Sequence, residues 1–251
     1  MYGFGAGVLW GTPLTDYAGN PISNPSPVAF GTLQDVSMDI SFDVKELHGE
    51  NQFPVDVARG KGKIQCKAKA ARFNGLLLNS LIFGQTMTSS IVSDVHDVIG
   101  TSIPTTPYQI TPTVPSSGTW ARDLGVRNSS GNPMVRVASA PVTGQYSVAA
   151  GVYTFAAADT GLKVFIDYNY TASSTAAKTS TVQNVAMGAA PLFRCDLLNT
   201  HGGGFLSASL FQCVTTKFQV ATKLDDFLIP EFDFSGFADS AGNVLQYGVN
   251  E

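Results

Sequence analysis

Past Phe30 the chain alternates apolar and polar residues with a period of two. Val36, Met38, Ile40, Phe42 and Val44 fall on one side, and Asp35, Ser37, Asp39, Ser41 and Asp43 on the other. Successive side chains of a strand point to opposite faces, so this stretch predicts a strand with one apolar and one acidic, hydroxyl-bearing face. Residues 61–70 repeat the pattern with the opposite charge. Lys61, Lys63, Gln65, Lys67 and Lys69 share one face, and Gly62, Ile64, Cys66, Ala68 and Ala70 share the other. An acidic row and a basic row predict an antiparallel pair with unlike charges meeting across the ladder. The intervening residues 45–60 exceed a tight turn and predict a long loop. Its Phe53, Pro54, Val55 and Val57 are apolar where loops are usually polar. Such a tip either folds back on its own domain or inserts into a partner.

Residues 72–83 predict a helix, because Phe73, Leu76, Leu77, Ser80 and Leu81 form a narrow, mostly apolar stripe and Gly84 follows as a stop. Four prolines between Pro104 and Pro115 mark a linker or an edge. Short strands follow, at residues 145–148 and 152–155 around Gly151, and at residues 162–170 where Leu162, Val164, Ile166, Tyr168 and Tyr170 alternate with polar positions. The polar run 171–180 is a second linker. These boundaries predict a small β module, residues 104–178, inserted into a larger domain made of residues 1–103 and 179–251. The larger domain resumes with strands at residues 192–198 and 205–212, joined through Gly202, Gly203 and Gly204, and a third around Val214, Thr216, Phe218 and Val220. Residues 1–30 are rich in glycine and proline and predict an extended arm, anchored by Trp10 and Phe30 on a neighbouring surface of the same chain or of another.

Composition narrows the class. The 251 residues are 44% hydrophobic, enough for a real core, yet only 14% charged, against roughly 25% in an ordinary soluble domain. Repeated self-contact in an assembly fits such a surface. A net charge of −4 gives no basic footprint for gripping nucleic acid, while a mildly acidic surface lets DNA pass without sticking. Cys66, Cys195 and Cys213 form no CxxC pair and predict buried thiols in a reducing compartment. The first positive side chain is Lys45, so no basic leader region is expected, and no apolar run reaches the roughly 18 residues of a membrane span.

Candidate chemistry is sparse. His48, His96 and His201 stand in no HxxxH or HExxH arrangement; Asp94, His96 and Asp97 lie close in sequence, but as a solvated polar loop rather than an ion site. No G-x-S-x-G elbow, P-loop or dinucleotide fingerprint occurs, and the glycines at 3, 5 and 7 precede any strand. The expectation is a non-enzyme with no catalytic residue, metal or cofactor.

Three segments carry a resemblance. FGTLQDVSMDISFDVKELHGENQFPVDVARGKGKIQCKAKAARFNG, residues 30–75, resembles the core of tail tube proteins of long-tailed bacteriophages. GQYSVAAGVYTFAAADTGLKVFIDYNYTA, residues 144–172, is similar to a small β module of phage virion proteins. KLDDFLIPEFDFSGFADSAGNV, residues 223–244, resembles the C-terminal end of the tube proteins. The resemblance implies a mainly β fold, a β-sandwich with one flanking α-helix plus the inserted module on the outer surface. It implies homohexameric rings stacked into a hollow tube, assembled in the host cytoplasm. Within the virion, the partners would be the tape measure, tail terminator and distal tail proteins. By position, Lys45, Glu46, Phe53, Pro54, Val55 and Val57 would reach the adjacent ring, and the N-terminal arm with Trp10 and Phe30 would bridge subunits. Asp35, Asp39 and Asp43 would face the lumen, with the lysines from Lys61 onward offsetting them. The alternatives are a head-decoration or head–tail connector subunit, and less so a carbohydrate-binding β-sandwich, for which Trp10 and Trp120 supply little of the flat aromatic face required.

Overall fold

The computed structural model describes residues 5–72 and 75–250. Its strands are β1 (Val8–Pro13), β2 (Val28–Ala29), β3 (Leu33–His48), β4 (Pro54–Ala70), β5 (Ser90–Val95), β6 (Thr101–Ser102), β7 (Gln109–Ile110) and β8 (Thr119–Asn128). They continue as β9 (Val135–Arg136), β10 (Gln145–Ala149), β11 (Val152–Phe155), β12 (Lys163–Ser173), β13 (Leu192–His201), β14 (Gly204–Gln219), β15 (Glu231–Phe237) and β16 (Leu245–Asn250). The fold is mainly β. The chain divides into two compact units: the first takes Met1–Thr86 and Ser180–Glu251, the second is Met87–Thr179.

The first unit is built on one eight-stranded sheet in the order β2-β1-β13-β14-β15-β4-β3, with β16 pairing the first half of β14. Long strands with alternating apolar positions give the sheet one face to bury. Phe193 and Cys195 of β13, Leu210 and Cys213 of β14, Phe232 and Phe234 of β15 and Ile64, Cys66 and Ala68 of β4 form that core. The cover is α1 (Gly75–Leu78) running directly into a π-helical turn, residues 79–83. Leu77 and Leu81 point into the core, as the apolar stripe predicts, whereas Leu76 is exposed. The helix is shorter than residues 72–83, and Phe73 lies outside the described residues. Gly84 ends the turn in the left-handed conformation, φ 59°, which favours glycine.

The three thiols are buried in this core. Burial pushes Cys66 up to about 12 from the ordinary 9.0 and holds Cys195 and Cys213 above it as well. Iodoacetamide at pH 8 is therefore expected to label no cysteine in the native chain and all three after denaturation. The sign of the linkage is fixed. Unfolded thiols ionise near 9 and the folded ones only near 12 or beyond, so the stabilisation is complete below 9 and falls as pH climbs between them. Melting temperature measured from pH 8 to 11 should decline over that window; a flat profile would contradict the burial.

The second unit has its own core, with Ile103, Val126, Tyr146, Tyr153, Phe155, Val164, Ile166 and Tyr168 among its members. One sheet centres on β12, which pairs β5, β6 and β8; the other runs β7-β11-β10-β9. This unit begins earlier than the residue 104 that the sequence suggests. β5 and β6 pair along β12, so residues 87–103 belong to this unit. Buried Asp123 accepts hydrogen bonds from Tyr146 Oη (2.8 Å) and Tyr153 Oη (3.1 Å), and Arg136 lies 3.6 Å away. Tyr153 Oη in turn accepts from Trp120 Nε1 at 3.2 Å. Asp123→Ala strands two buried hydroxyls and a cation, at a cost of about 3 kcal/mol. Chemical denaturation followed by Trp120 fluorescence should record it, with Asp123→Asn milder.

Candidate assembly surface

The acidic and basic strands do pair. Asp35 lies opposite Lys69, Ser37 opposite Lys67, Asp39 opposite Gln65 and Ser41 opposite Lys63. Cross-strand partners share a face, so Asp35 and Asp39 stand among lysines on the solvent side of the sheet. Lys69 Nζ is 4.0 Å from Asp35 and 3.6 Å from Glu231, and Lys217 Nζ is 3.9 Å from Glu231. Each exposed pair contributes little alone, but together they leave this face with interleaved signs rather than an acidic field. Asp43 continues the row farther out, beside Gly60.

Residues 45–60 are not a long loop. β3 runs on to His48 and β4 begins at Pro54, so only residues 49–53 turn the chain. Lys45 pairs Ala58, Glu46 pairs Val57 and His48 pairs Pro54. β15 accompanies β4 only as far as Ile64, and β3 is the sheet's edge. Beyond that point the two strands continue alone as a ribbon about 30 Å long, at roughly 3.3 Å per residue. The sequence hides the ribbon because a bulge between Phe42 and Val44, and another between Leu47 and His48, break the strict alternation.

Among the described residues nothing covers the ribbon, which stands out as an arm. Every residue of 39–63 except Pro54 is exposed, Phe53 at 80% and Val55 at 71%. Its inner side continues the apolar face of the sheet, where Ile40, Phe42, Val44 and Val57 stand uncovered. The Arg59 guanidinium lies 4.1 Å over the Phe42 ring. That ring lies across β4 where Gly62 leaves room, since a Cβ there would sit 2.9 Å from it. Glu46 and His48 approach each other at 3.2 Å on the same side. Period-two spacing through Val44 was visible in the sequence, but it carries no sign of which residues a core reaches and which it leaves bare.

A second bare strip lies on β14 and β16, where Leu206 pairs Val249 and Ala208 pairs Tyr247; Leu206, Tyr247 and Val249 are exposed. No strand among the described residues pairs the outer edge of β3 or of β16.

The N-terminal candidates sit differently from the sequence expectation. Trp10 is in β1, opposite Asp196 of β13 and Ala29 of β2, inside the chain's own sheet. Phe30 is buried and stacks on Phe232 with centroids 4.6 Å apart. Residues 8–13 and 28–30 are thus part of this chain's own sheet and core; Pro13 closes β1, and Pro21, Pro25 and Pro27 fall between β1 and β2, where they cost the ladder no hydrogen bond. Residues 1–4 lie outside the described residues.

Among the described residues no group of three or more His, Cys, Asp or Glu side chains is placed to hold a metal ion, and no helix is long and apolar enough to cross a membrane. Asp94, His96 and Asp97 diverge. Asp94 accepts from Asn169, His96 faces Asp167 at 3.2 Å, and Asp97 accepts from the backbone of Ile99, Gly100 and Ile166. Burial would raise the Asp97 carboxyl, but those N–H groups and Arg127 hold it below the usual range, as for a loop-fixing residue. No protein-family profile matches the sequence, and comparison with curated proteins finds no match.

Proposed function

We propose that this chain is a structural subunit of a virus particle, the tail tube protein of a long-tailed bacteriophage. Its copies close into hexameric rings, and the rings stack into the hollow conduit that delivers DNA. The observation that carries the reading is the bare arm of residues 39–63. A two-stranded ribbon is marginal in water by itself, and one lined with Ile40, Phe42, Val44, Val55 and Val57 gains stability only when another surface covers it. Unpaired outer edges on β3 and β16 are a liability in a monomer and an asset in an assembly that pairs them. The interleaved Asp and Lys face suits a wall past which DNA moves, because no net positive groove forms to hold phosphate. The role is structural rather than catalytic, with the tape measure, terminator and distal tail proteins as partners at the tube's ends and the second unit on the outside.

Negative-stain electron microscopy of the purified chain across concentration and salt tests this. Hollow tubes or six-fold rings are the expected result. A chain that stays monomeric, or binds singly to a preformed lattice, would replace the tube with a decoration or connector role.

A further inference from the structure

At the root of the arm the first unit has a cleft of about 750 Å³, within the roughly 300–1,000 Å³ typical of binding clefts. Ile40, Phe42, Ile64, Phe237, Val244 and Leu245 line it, and Lys63 stands beside them. It opens where the sheet's apolar face passes from under its own core into solvent. We infer that this cleft receives the tip of the arm, Phe53, Pro54 and Val55, from a second copy of the chain. The inference rests on the assembly reading above and adds the acceptor site to it.

Size and charge both favour this occupant. The tip offers three consecutive apolar residues flanked by Glu50 and Asp56, all exposed but the half-buried Pro54. The cleft offers an apolar lining with Lys63 in its wall. Pro54 has no N–H to donate, so the tip presents apolar surface rather than a further strand edge. A chain cannot fill its own cleft. The tip lies at the far end of the same ribbon, about 30 Å away, and folding it back would break the β3–β4 ladder from Phe42 to His48. The surface given differs from the surface received, so the contact is head to tail and repeats from copy to copy, closing into rings or extending into filaments.

Two single variants, Val55→Cys and Ala238→Cys at the cleft wall, are mixed and oxidised with oxidised glutathione. The native thiols are buried, so the introduced pair reports the contact. A disulfide needs Cα atoms within about 7 Å, which requires the tip to be seated. The expected product is a covalent dimer of one chain of each kind, reduced about tenfold or more when Phe53→Asp is added to the Val55→Cys chain. A control pairing Val55→Cys with Val142→Cys, on the second unit, should give none. Tubes seen by microscopy without the Val55–Ala238 cross-link would overturn this site and leave the tube reading standing. The cross-link in dimers that never form tubes or rings would do the reverse. A chain monomeric at every concentration would remove both.

Discussion

A chain carrying Phe53→Asp and Val55→Asp is expected to fold as the unaltered chain does and to form no higher assembly. Both side chains stand in water, at 80% and 71% exposure, so nothing in the fold depends on them. Exposed substitutions of this kind stay within about 0.5 kcal/mol each. Between copies the same carboxylates meet an apolar lining, and burying an unpaired charge costs several kcal/mol, equivalent to more than a hundredfold in association. Sedimentation velocity and a thermal melt on the same samples separate the two effects. Tubes that persist in the double variant would sink the arm as the assembling element. A melt lowered by more than a few degrees would mean instead that the tip packs within its own chain.

The largest expected effect on stability is at Phe234. Its ring is buried between Phe193, centroids 5.5 Å apart, and Phe232, 5.7 Å apart, in β15 between β14 and β4. Phe234→Ala opens a cavity in a core that cannot collapse around it, because ladders on both sides fix the strands. The cost is about 3–5 kcal/mol, a large share of the 5–15 kcal/mol that holds a typical domain together. Each unit carries one tryptophan, Trp10 in the first and Trp120 in the second. In Trp120→Phe and Trp10→Phe backgrounds, fluorescence during urea unfolding therefore reads the units one at a time. Phe234→Ala should lower the Trp10 midpoint sharply and leave the Trp120 midpoint in place. Equal shifts in both signals would show that the separate cores unfold as one.

Much of this was legible in the residues, and the exceptions share physical causes. Alternation with unlike charges sufficed to pair β3 with β4, since period-two patterning and cross-strand charge are local. The arm escaped notice because bulges at its root and tip disturb the period, and because an apolar residue reads alike whether a core or only water meets it. Residues 87–103 carry no sign of their unit for a related reason: β5 and β6 take their identity from β12, some seventy residues away, and show little pattern of their own. The glycines and prolines around Trp10 and Phe30 leave open which surface holds them, and the resemblance alone points to a neighbouring subunit. Their destination is instead set by β13 and β15, which close over them from the far end of the chain. The cleft beside Phe237 and Leu245 had no sequence signal, since its walls meet only through the sheet order.

The side chain of buried Asn79 donates to the Gln85 carbonyl at 2.6 Å and accepts from Ser180 Oγ at 3.2 Å. A few residues on, Thr88 and Thr179 exchange backbone hydrogen bonds of 2.9 Å. Departure and return are therefore fastened together on either side of the crossing, like the two conductors of a plug held in one socket. The chain between residues 88 and 179 supplies no strand to the sheet it leaves, so exchanging it is expected to leave that sheet's registers in place. The same join gives an engineer a place to graft a cargo without entering the sheet.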